Sequence, residues 1–285
     1  EGDSRLKANF VDPYKANPDM NVLVRPAELY NSMVHPLLPL SARGVVWYQG
    51  EGNWGDYPIY PLLMKTLING WRRNFAHSEM PFYYVQIAPW GFGQDTSSKE
   101  WFYTQGEAIG YAYMREAQAL TREQVSHSGM AVTMDVGDPD DIHPTNKRPV
   151  GERLALLALN GTYGRSEVAC LGPRYNSLKV ENGVVKLLFD NAEGLKTNDG
   201  QAPKHFYVAS TAGSEHKFWP ASAEIHGSEV WLTCPDVVTT STAASGVAVR
   251  YAFLLYPMTN LENGAGLPAE PFRTDSWSAE ISYVY

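Results

Sequence analysis

The stretch Gly44-Val45-Val46-Trp47-Tyr48-Gln49-Gly50-Glu51-Gly52-Asn53 decides how the chain is read. Four apolar residues, Val45 to Tyr48, run without interruption and stop at a polar, glycine-spaced turn. An unbroken apolar run of that length fits a strand covered on both faces, as in a parallel sheet. Two more such runs follow: Phe82-Tyr83-Tyr84-Val85-Gln86-Ile87 and Met130-Ala131-Val132-Thr133-Met134. Between them the apolar period changes. Tyr60, Leu63, Met64, Leu67, Trp71 and Phe75 recur at spacings of three and four and predict a helix over 60–75. Tyr111, Met114 and Ala117 predict another over 107–124, and Leu154, Leu157 and Ala158 a third over 151–160. Strands alternating with helices argue for an α/β domain built on a parallel sheet.

After Gly164 the texture is different. Val184 to Phe189, Phe206 to Val208, Val230 to Leu232 and Val247 to Tyr251 are short apolar runs separated by Gly, Asn, Ser and Pro, with no long helical period. This predicts an all-β, sandwich-like module. The expected organisation is therefore 1–165 as the α/β domain and 166–285 as a β-rich accessory domain. Trp219 and Trp231 in that second part read as core residues.

The 285 residues (31.7 kDa) are 44% hydrophobic and 19% charged, a globular composition that excludes wholesale disorder and fibrous repeats. The net charge of −8 argues against a nucleic-acid surface or a polybasic membrane anchor. No run of 18 apolar residues is present to span a membrane as a helix. The two cysteines, Cys170 and Cys234, allow one disulfide, with two buried thiols as the simpler reading. Walker A, G-x-G-x-x-G, H-E-x-x-H, C-x-x-C and G-x-S-x-G patterns are all missing, so nucleotide chemistry and zinc proteolysis lose their usual sequence support.

Two constellations carry chemistry. The first is the turn Gln49-Gly50-Glu51-Gly52-Asn53, placed where ligands bind in open α/β sheets, beyond a strand's carboxyl end. The Gln49 amide is a neutral donor suited to an oxyanion hole. Gly50 and Gly52 allow a close backbone approach or a positive φ. Glu51 reads as a buttress, a substrate-hydroxyl acceptor or an acid/base. A plain glycine-rich turn with Glu51 in an ion pair is the competing reading. The second is Asp135-Val136-Gly137-Asp138-Pro139-Asp140-Asp141-Ile142-His143-Pro144, at the same sheet edge. Pro144 holds His143 out of the helical region. Asp140 or Asp141 is placed to accept its Nδ1–H and fix the tautomer of a general base. Competing readings are a solvated, helix-capping loop and a Ca²⁺ site, although the spacing does not match an EF-hand.

These residues sit in a longer pattern. Pro26-Ala27-Glu28-Leu29-Tyr30-Asn31-Ser32-Met33-Val34-His35-Pro36-Leu37-Leu38-Pro39 leads into the Trp-Tyr-Gln-Gly-Glu stretch. Trp71-Arg72, Pro81 to Gln86, Arg115-Glu116-Ala117-Gln118, Asp141-Ile142-His143-Pro144-Thr145-Asn146-Lys147, Val150 to Leu154 and Gly266 to Asp275 follow in order. From about 26 to 275 the chain resembles the sialate O-acetylesterases of the SGNH hydrolase superfamily. The resemblance implies a three-layer, flavodoxin-like α/β domain and a Ser-His-Asp mechanism needing no metal or cofactor. It makes His143 the base, Asp140 (with Asp141 the alternative) its orienting acid and Gln49 the oxyanion amide, with Gly50, Glu51 and Asn53 lining the same site.

One element of that pattern is displaced. The family's nucleophilic serine follows a buried N-terminal strand well upstream of the Trp-Tyr-Gln-Gly-Glu motif. Here 46 residues precede Trp47, and Gly2-Asp3-Ser4 has no strand ahead of it, which makes Ser4 a poor nucleophile. Three candidate strands stand where a fold of this kind has about five. The expectation is an α/β domain incomplete at its N-terminus, with the serine on an earlier segment or a companion chain. The substrate expected is an acetylated carbohydrate, sialic acid first and acetylated xylan or another plant polysaccharide second. A glycosidase pairing Glu51 with Asp135 or Asp138, or a non-catalytic carbohydrate-binding protein, are the readings from other classes. A glycan substrate suggests a periplasmic or secreted setting.

Overall fold

The computed structural model describes residues 27–93, 110–212, 216–277 and 282–283. It is a mixed α/β structure. Strands β1 (Val45–Trp47), β2 (Phe82–Val85) and β3 (Ser128–Ala131) form a parallel sheet in the order β1-β2-β3. Helix α1 (Tyr60–Asn74) joins β1 to β2, α2 (Gly110–Gln124) precedes β3, and α3 (Arg148–Gly161) follows it.

The strand residues sort by parity, as the pleat requires. Phe82 and Tyr84 pack with Tyr60, Met64, Ile68, Met114 and Ala117, the inner faces of α1 and α2. Tyr83 and Val85 turn the other way, toward Leu157 and Val150 of α3. The three layers are thus complete over β2 and β3. They are not complete over β1. Val45 is buried, but Val46, on the α3 face, is 63% exposed, and among the described residues β1 pairs only with β2. Among them the apolar run at 45–48 therefore does not mark a strand covered on both faces: β1 is an edge strand with one exposed face.

The β-rich part carries two antiparallel sheets. One has the order β4-β5-β10-β9, from Arg174–Glu181, Val184–Asp190, Glu229–Thr233 and Ser222–His226. The other orders β13 (Phe272–Arg273), β11 (Val247–Tyr251), β7 (Phe206–Ser210) and β8 (Lys217–Pro220), with β14 (Ser282–Tyr283) added parallel to β8. A short ribbon pairs β6 (Lys196–Thr197) with β12 (Leu261–Glu262). Val185, Leu187, Val230 and Leu232 from the first sheet meet Val208, Val249 and Tyr251 from the second, and this core is continuous with that of the α/β part. Cys170 and Cys234 are free thiols, so the disulfide is not formed. The part of the helix expected at 107–109 lies outside the described residues.

Polar clamps tie the two parts together. Arg115, fully buried on α2, donates from Nε to Ile87 O (3.1 Å), from Nη1 to Leu254 O (2.7 Å) and from Nη2 to Leu255 O (2.8 Å) and Ala88 O (3.4 Å). Glu116 and Arg122, on the same helix, form bidentate pairs with Arg273 and Glu270. Burial pulls the Arg115 guanidinium down to about 9, which still leaves it cationic at neutral pH.

Two outcomes follow from this packing. Arg115→Lys replaces a planar fork of five donors by a single ammonium, which does not reach carbonyls on opposite sides. It is expected to cost about 3 kcal/mol or more, lowering Tm in thermal denaturation on the order of 10 °C. His205 donates from Nε2 to Met258 O (3.0 Å), and desolvation holds its pKa at about 4. The unfolded chain protonates this residue near 6.5 and the folded chain refuses the proton until about 4, so its contribution is whole above pH 6.5 and is lost as pH falls toward 4. Urea titrations of His205→Gln should show an acid-side slope shallower by roughly 2–3 kcal/mol across that window.

Candidate active site

The parallel sheet places the carboxyl ends of β1, β2 and β3 along one edge, and both motifs emerge there. After β1 the chain makes a 3₁₀ turn, Glu51–Asp56, closed by Asn53 N–H to Gly50 O at 2.9 Å. The glycine at 50 answers to space. Its φ of 162° is ordinary extended backbone, and Gly52 has no positive φ, so the expectation of left-handed glycines does not hold. A Cβ on Gly50 would lie 2.6 Å from Ile87 Cγ2 and 2.8 Å from Gln118 Nε2.

Gln118 explains that closeness. It is wholly buried on α2, accepts Ile87 N–H (2.9 Å) on Oε1, and donates from Nε2 to Val85 O (3.1 Å) and Gln49 O (3.4 Å). The ends of β1 and β2 are thereby joined where their ladder stops. Gln49 is held at both poles of its amide. Nε2 donates to Asn53 Oδ1 (2.7 Å), whose own Nδ2 donates to Asp56 Oδ2 (2.8 Å). On the other side Tyr60 OH donates to Gln49 O (3.3 Å) and stands 3.5 Å from Gln49 Oε1. Burial, with a smaller push from the Glu51 charge, raises Tyr60 to about 12, so it remains a donor. An amide carries two N–H donors, and Asn53 takes one of them. Among the described residues none takes the other.

The second loop is fastened to the end of β2. Asp138 N–H donates to Pro89 O (3.2 Å), Trp90 bridges Asp138, and Gly93 N–H donates to Pro139 O (2.9 Å). Gly137 has no room for a side chain, since a Cβ would fall on Pro89. Asp138 Oδ1 accepts the N–H groups of Asp140 (2.8 Å) and Asp141 (3.2 Å). Asp141 Oδ1 in turn accepts His143 N–H (2.8 Å) and lies 3.5 Å from His143 Nδ1. Pro144 is buried, while the His143 side chain is 84% exposed. Of the two carboxylates proposed from sequence, Asp141 is the one beside the imidazole. Asp140 is exposed and makes no described hydrogen bond to His143. Asp135 is committed elsewhere, in a bidentate pair with Arg153 at 2.7 and 2.6 Å.

The two loops meet. Lys147 Nζ donates to Tyr48 OH (3.2 Å) and sits 4.8 Å over the Tyr48 ring, linking the residue before Gln49 to the segment after His143. Helix α3 begins directly afterward with no side-chain cap, so the competing reading of a helix-capping loop is not met. Among the described residues no group of three His, Cys, Asp or Glu side chains is arranged to hold a metal ion, and no helix is long and apolar enough to cross a membrane. A cavity of about 100 Å³ sits between β3 and the β-rich part, lined by Arg122, Arg153, Cys170 and Glu270. Asp56, Tyr60 and Gln118 set the pose of Gln49, and sequence reasoning gave none of them a role in the site. Gln118 lies in the family-like stretch Arg115-Glu116-Ala117-Gln118, and its signal is that it and Arg115 are polar residues among the apolar positions of a helix that buries both.

An open parallel sheet with a neutral amide donor on one loop and an exposed histidine beside a carboxylate on another is the frame of an α/β hydrolase-type site. Comparison with known proteins gives the family. Residues 17–160, just over half of the chain, match the family model "carbohydrate esterase, sialic acid-specific acetylesterase", and the chain belongs to that family. It is 28% identical to the mouse sialate O-acetylesterase over 284 residues, covering 91% of this chain and 50% of that one. The human sialate O-acetylesterase is 27% identical, with 86% and 48% covered. Among solved structures, XAC1771, a carbohydrate acetylesterase from Xanthomonas citri, superposes with a TM-score of 0.74 at 37% identity, covering 87% of this chain and 54% of that one. The chain thus spans about half the length of the relatives it matches.

Gly50→Ala should force the Gln49 loop away from Ile87 and Gln118 and cost about 1–3 kcal/mol in urea denaturation. Gly52→Ala, with open space around its Cβ, serves as the control in the same measurement and should stay near the parent stability.

Proposed function

We propose that this chain supplies the base and an oxyanion donor of a serine carbohydrate esterase that removes O-acetyl groups from sugars, sialic acid being the first substrate to test. The carrying observation is the Tyr48–Lys147 contact, which draws the Gln49 loop and the His143 loop to one sheet edge. In the mechanism that fits, a serine hydroxyl attacks the acetyl carbonyl and passes its proton to His143 Nε2. The remaining Gln49 N–H donates to the developing oxyanion, and Asp141 accepts from Nδ1 of the imidazolium. The protonated histidine then gives its proton to the departing sugar oxygen. Water, deprotonated by the same imidazole, cleaves the acyl-enzyme and releases acetate. The 3.5 Å separation of Asp141 and His143 is of the kind that tightens when substrate arrives.

Among the described residues no serine hydroxyl is hydrogen-bonded to His143, and Ser4 lies outside them. We place the nucleophile on an N-terminal segment or companion chain that adds to the open edge of β1. The bare face at Val46 supports this, since parallel strands are ordinarily covered on both sides. We place the activity in the periplasm or outside the cell, where glycans are met. The substrate reading widens beyond sialic acid to acetylated carbohydrate in general, with acetylated xylan the alternative to test, on one observation: the carbohydrate acetylesterase structure, at 37%, is more similar in sequence than the mouse and human sialate esterases, at 28% and 27%. The glycosidase reading loses its second carboxylate, because Asp135 is locked to Arg153 and Asp138 is spent on its own turn.

The test is acetate release from O-acetylated sialic acid and from acetylated xylan, with fluorophosphonate labelling of the nucleophile, on the chain together with its N-terminal complement. His143→Ala should lower kcat about 10³-fold or more, and Asp141→Asn should cost more than Asp140→Asn. Glu51→Gln should retain turnover. Full activity in His143→Ala, or abolition by Glu51→Gln alone, would overturn the esterase assignment.

A further inference from the structure

An aromatic cluster stands on the same sheet edge and takes no part in the chemistry above. Trp54 lies on the turn that follows Gln49. Trp90 and Phe92 lie on the segment that joins the end of β2 to Asp138 and Pro139. The cluster thus runs from the oxyanion-donor loop to the base loop. Its inner members are fixed. Tyr111 is buried and contacts Trp54, Trp90 and Phe92 with ring centroids 6.0, 6.0 and 5.6 Å away. Phe92 stacks on Trp90 at 3.8 Å. The Trp54 ring lies so close to Gly110 that a Cβ there would be 2.6 Å from Trp54 Cε3.

The outer members are presented to solvent at a cost. Trp54 is 43% exposed and Phe92 37% exposed. Phe92 has φ +55°, a left-handed backbone that bulky residues seldom adopt, and it is flanked by Gly91 and Gly93. Either neighbour would take that conformation more cheaply. Strain held at an exposed ring beside a reactive edge is a mark of a ligand contact. The other tryptophans differ. Trp231 has one neighbour stacked on it, His226 at 3.9 Å, and Lys186 Nζ 4.2 Å over its ring, which leaves no face for a ligand.

We propose that Trp54 and Phe92 form a stacking platform for a pyranose ring of the acetylated carbohydrate. The ring's apolar C–H face lies on the aromatics and its hydroxyls reach the neighbouring polar groups Asn53, Asp56 and Glu51. Two exposed aromatic rings anchored on one buried tyrosine, with carboxylate and amide side chains on the same turn, offer the apolar contacts and polar rim that a pyranose requires. This rests on the carbohydrate reading of the site and extends it by naming what holds the sugar.

The experiment separates binding from turnover. Acetylated xylotetraose and 9-O-acetylated sialic acid are titrated into the full chain, followed by tryptophan fluorescence and saturation-transfer NMR, neither of which needs the nucleophile. At least one of the two should bind the parent. Trp54→Ala and Phe92→Gly should weaken that binding tenfold or more, Trp54→Phe should restore most of it, and Trp231→Ala should leave it within twofold. Phe92→Gly relieves the left-handed strain, so a Tm within about 3 °C of the parent identifies the loss as a binding effect. Unchanged affinity in both platform variants, or no binding of either sugar at millimolar concentration, overturns the proposal. Absent acetate release with intact, Trp54-dependent binding would instead overturn the esterase reading and leave the platform standing.

Discussion

Arg115 is a cation sealed in protein, and among the described residues no carboxylate forms an ion pair with it, the Glu51 charge acting only from a distance. Its donors are spent on four main-chain oxygens, two just beyond β2 and two just beyond β11. A buried charge is tolerated only when every donor is satisfied, so these four carbonyls are not free to move independently. One turn along the same helix face, Gln118 does the equivalent for the end of β1. Helix α2 therefore does more than cover the sheet. Its two buried polar side chains fix the positions of residues 49–50, 85–88 and 254–255 relative to one another. These are the segments on which the site is built. The β-rich part is coupled to the site through this arginine, since Leu254 and Leu255 belong to it.

Much of this architecture was legible in the sequence. The apolar runs at 82–87 and 130–134 marked β2 and the second half of β3, and the spacing of Tyr60, Met64 and Trp71 marked α1. The β-rich texture after Gly164 was visible in runs such as Val184 to Phe189. What escaped was of two kinds. Strands β4 and β9, Arg174–Glu181 and Ser222–His226, alternate between exposed and partly or fully buried positions and contain no unbroken apolar run. A reading tuned to continuous runs passes over them. The bare face of β1 escaped for a different reason. Val46 is as apolar as Val45, and only the reach of α3, which packs on β2 and β3, determines that one is buried and the other not.

The site shows the same division. His143, Gln49 and Asp141 were visible because a proline, glycines and clustered aspartates surround them. The contacts of their supports were not, although Gln118 and Lys147 lie in the family-like stretches, because each contact joins residues distant in sequence. Gln118 lies 69 residues from the Gln49 carbonyl it meets, and Lys147 lies 99 residues from Tyr48. Asp135 illustrates the reverse error: grouped with the other aspartates it looked available for chemistry, and a guanidinium 18 residues away claims both of its oxygens. The two glycines of the Gln49 turn were assigned by conformational freedom, whereas Gly50 is set by contact distance and Gly52 by neither.

The two halves of the site are held with unequal firmness, and the difference follows what each must do. Gln49 is gripped at its carbonyl by Tyr60 and Gln118 and at its amide by Asn53, which Asp56 anchors in turn. An oxyanion donor stabilises developing charge only if its dipole is already aimed, because reorientation during the reaction would consume the gain. The imidazole of His143 has only a loose carboxylate neighbour, while its main chain is pinned by Asp141 and by buried Pro144. A general base must meet the nucleophile's proton on one side and deliver it to the leaving oxygen on another. In the proposed mechanism a fixed backbone carrying an exposed ring leaves both imidazole nitrogens within reach of partners on opposite sides. A pre-aimed amide and an exposed imidazole on one sheet edge are therefore consistent with the acyl transfer proposed above, and the aromatic rim between the two loops is where the proposed platform would hold the sugar.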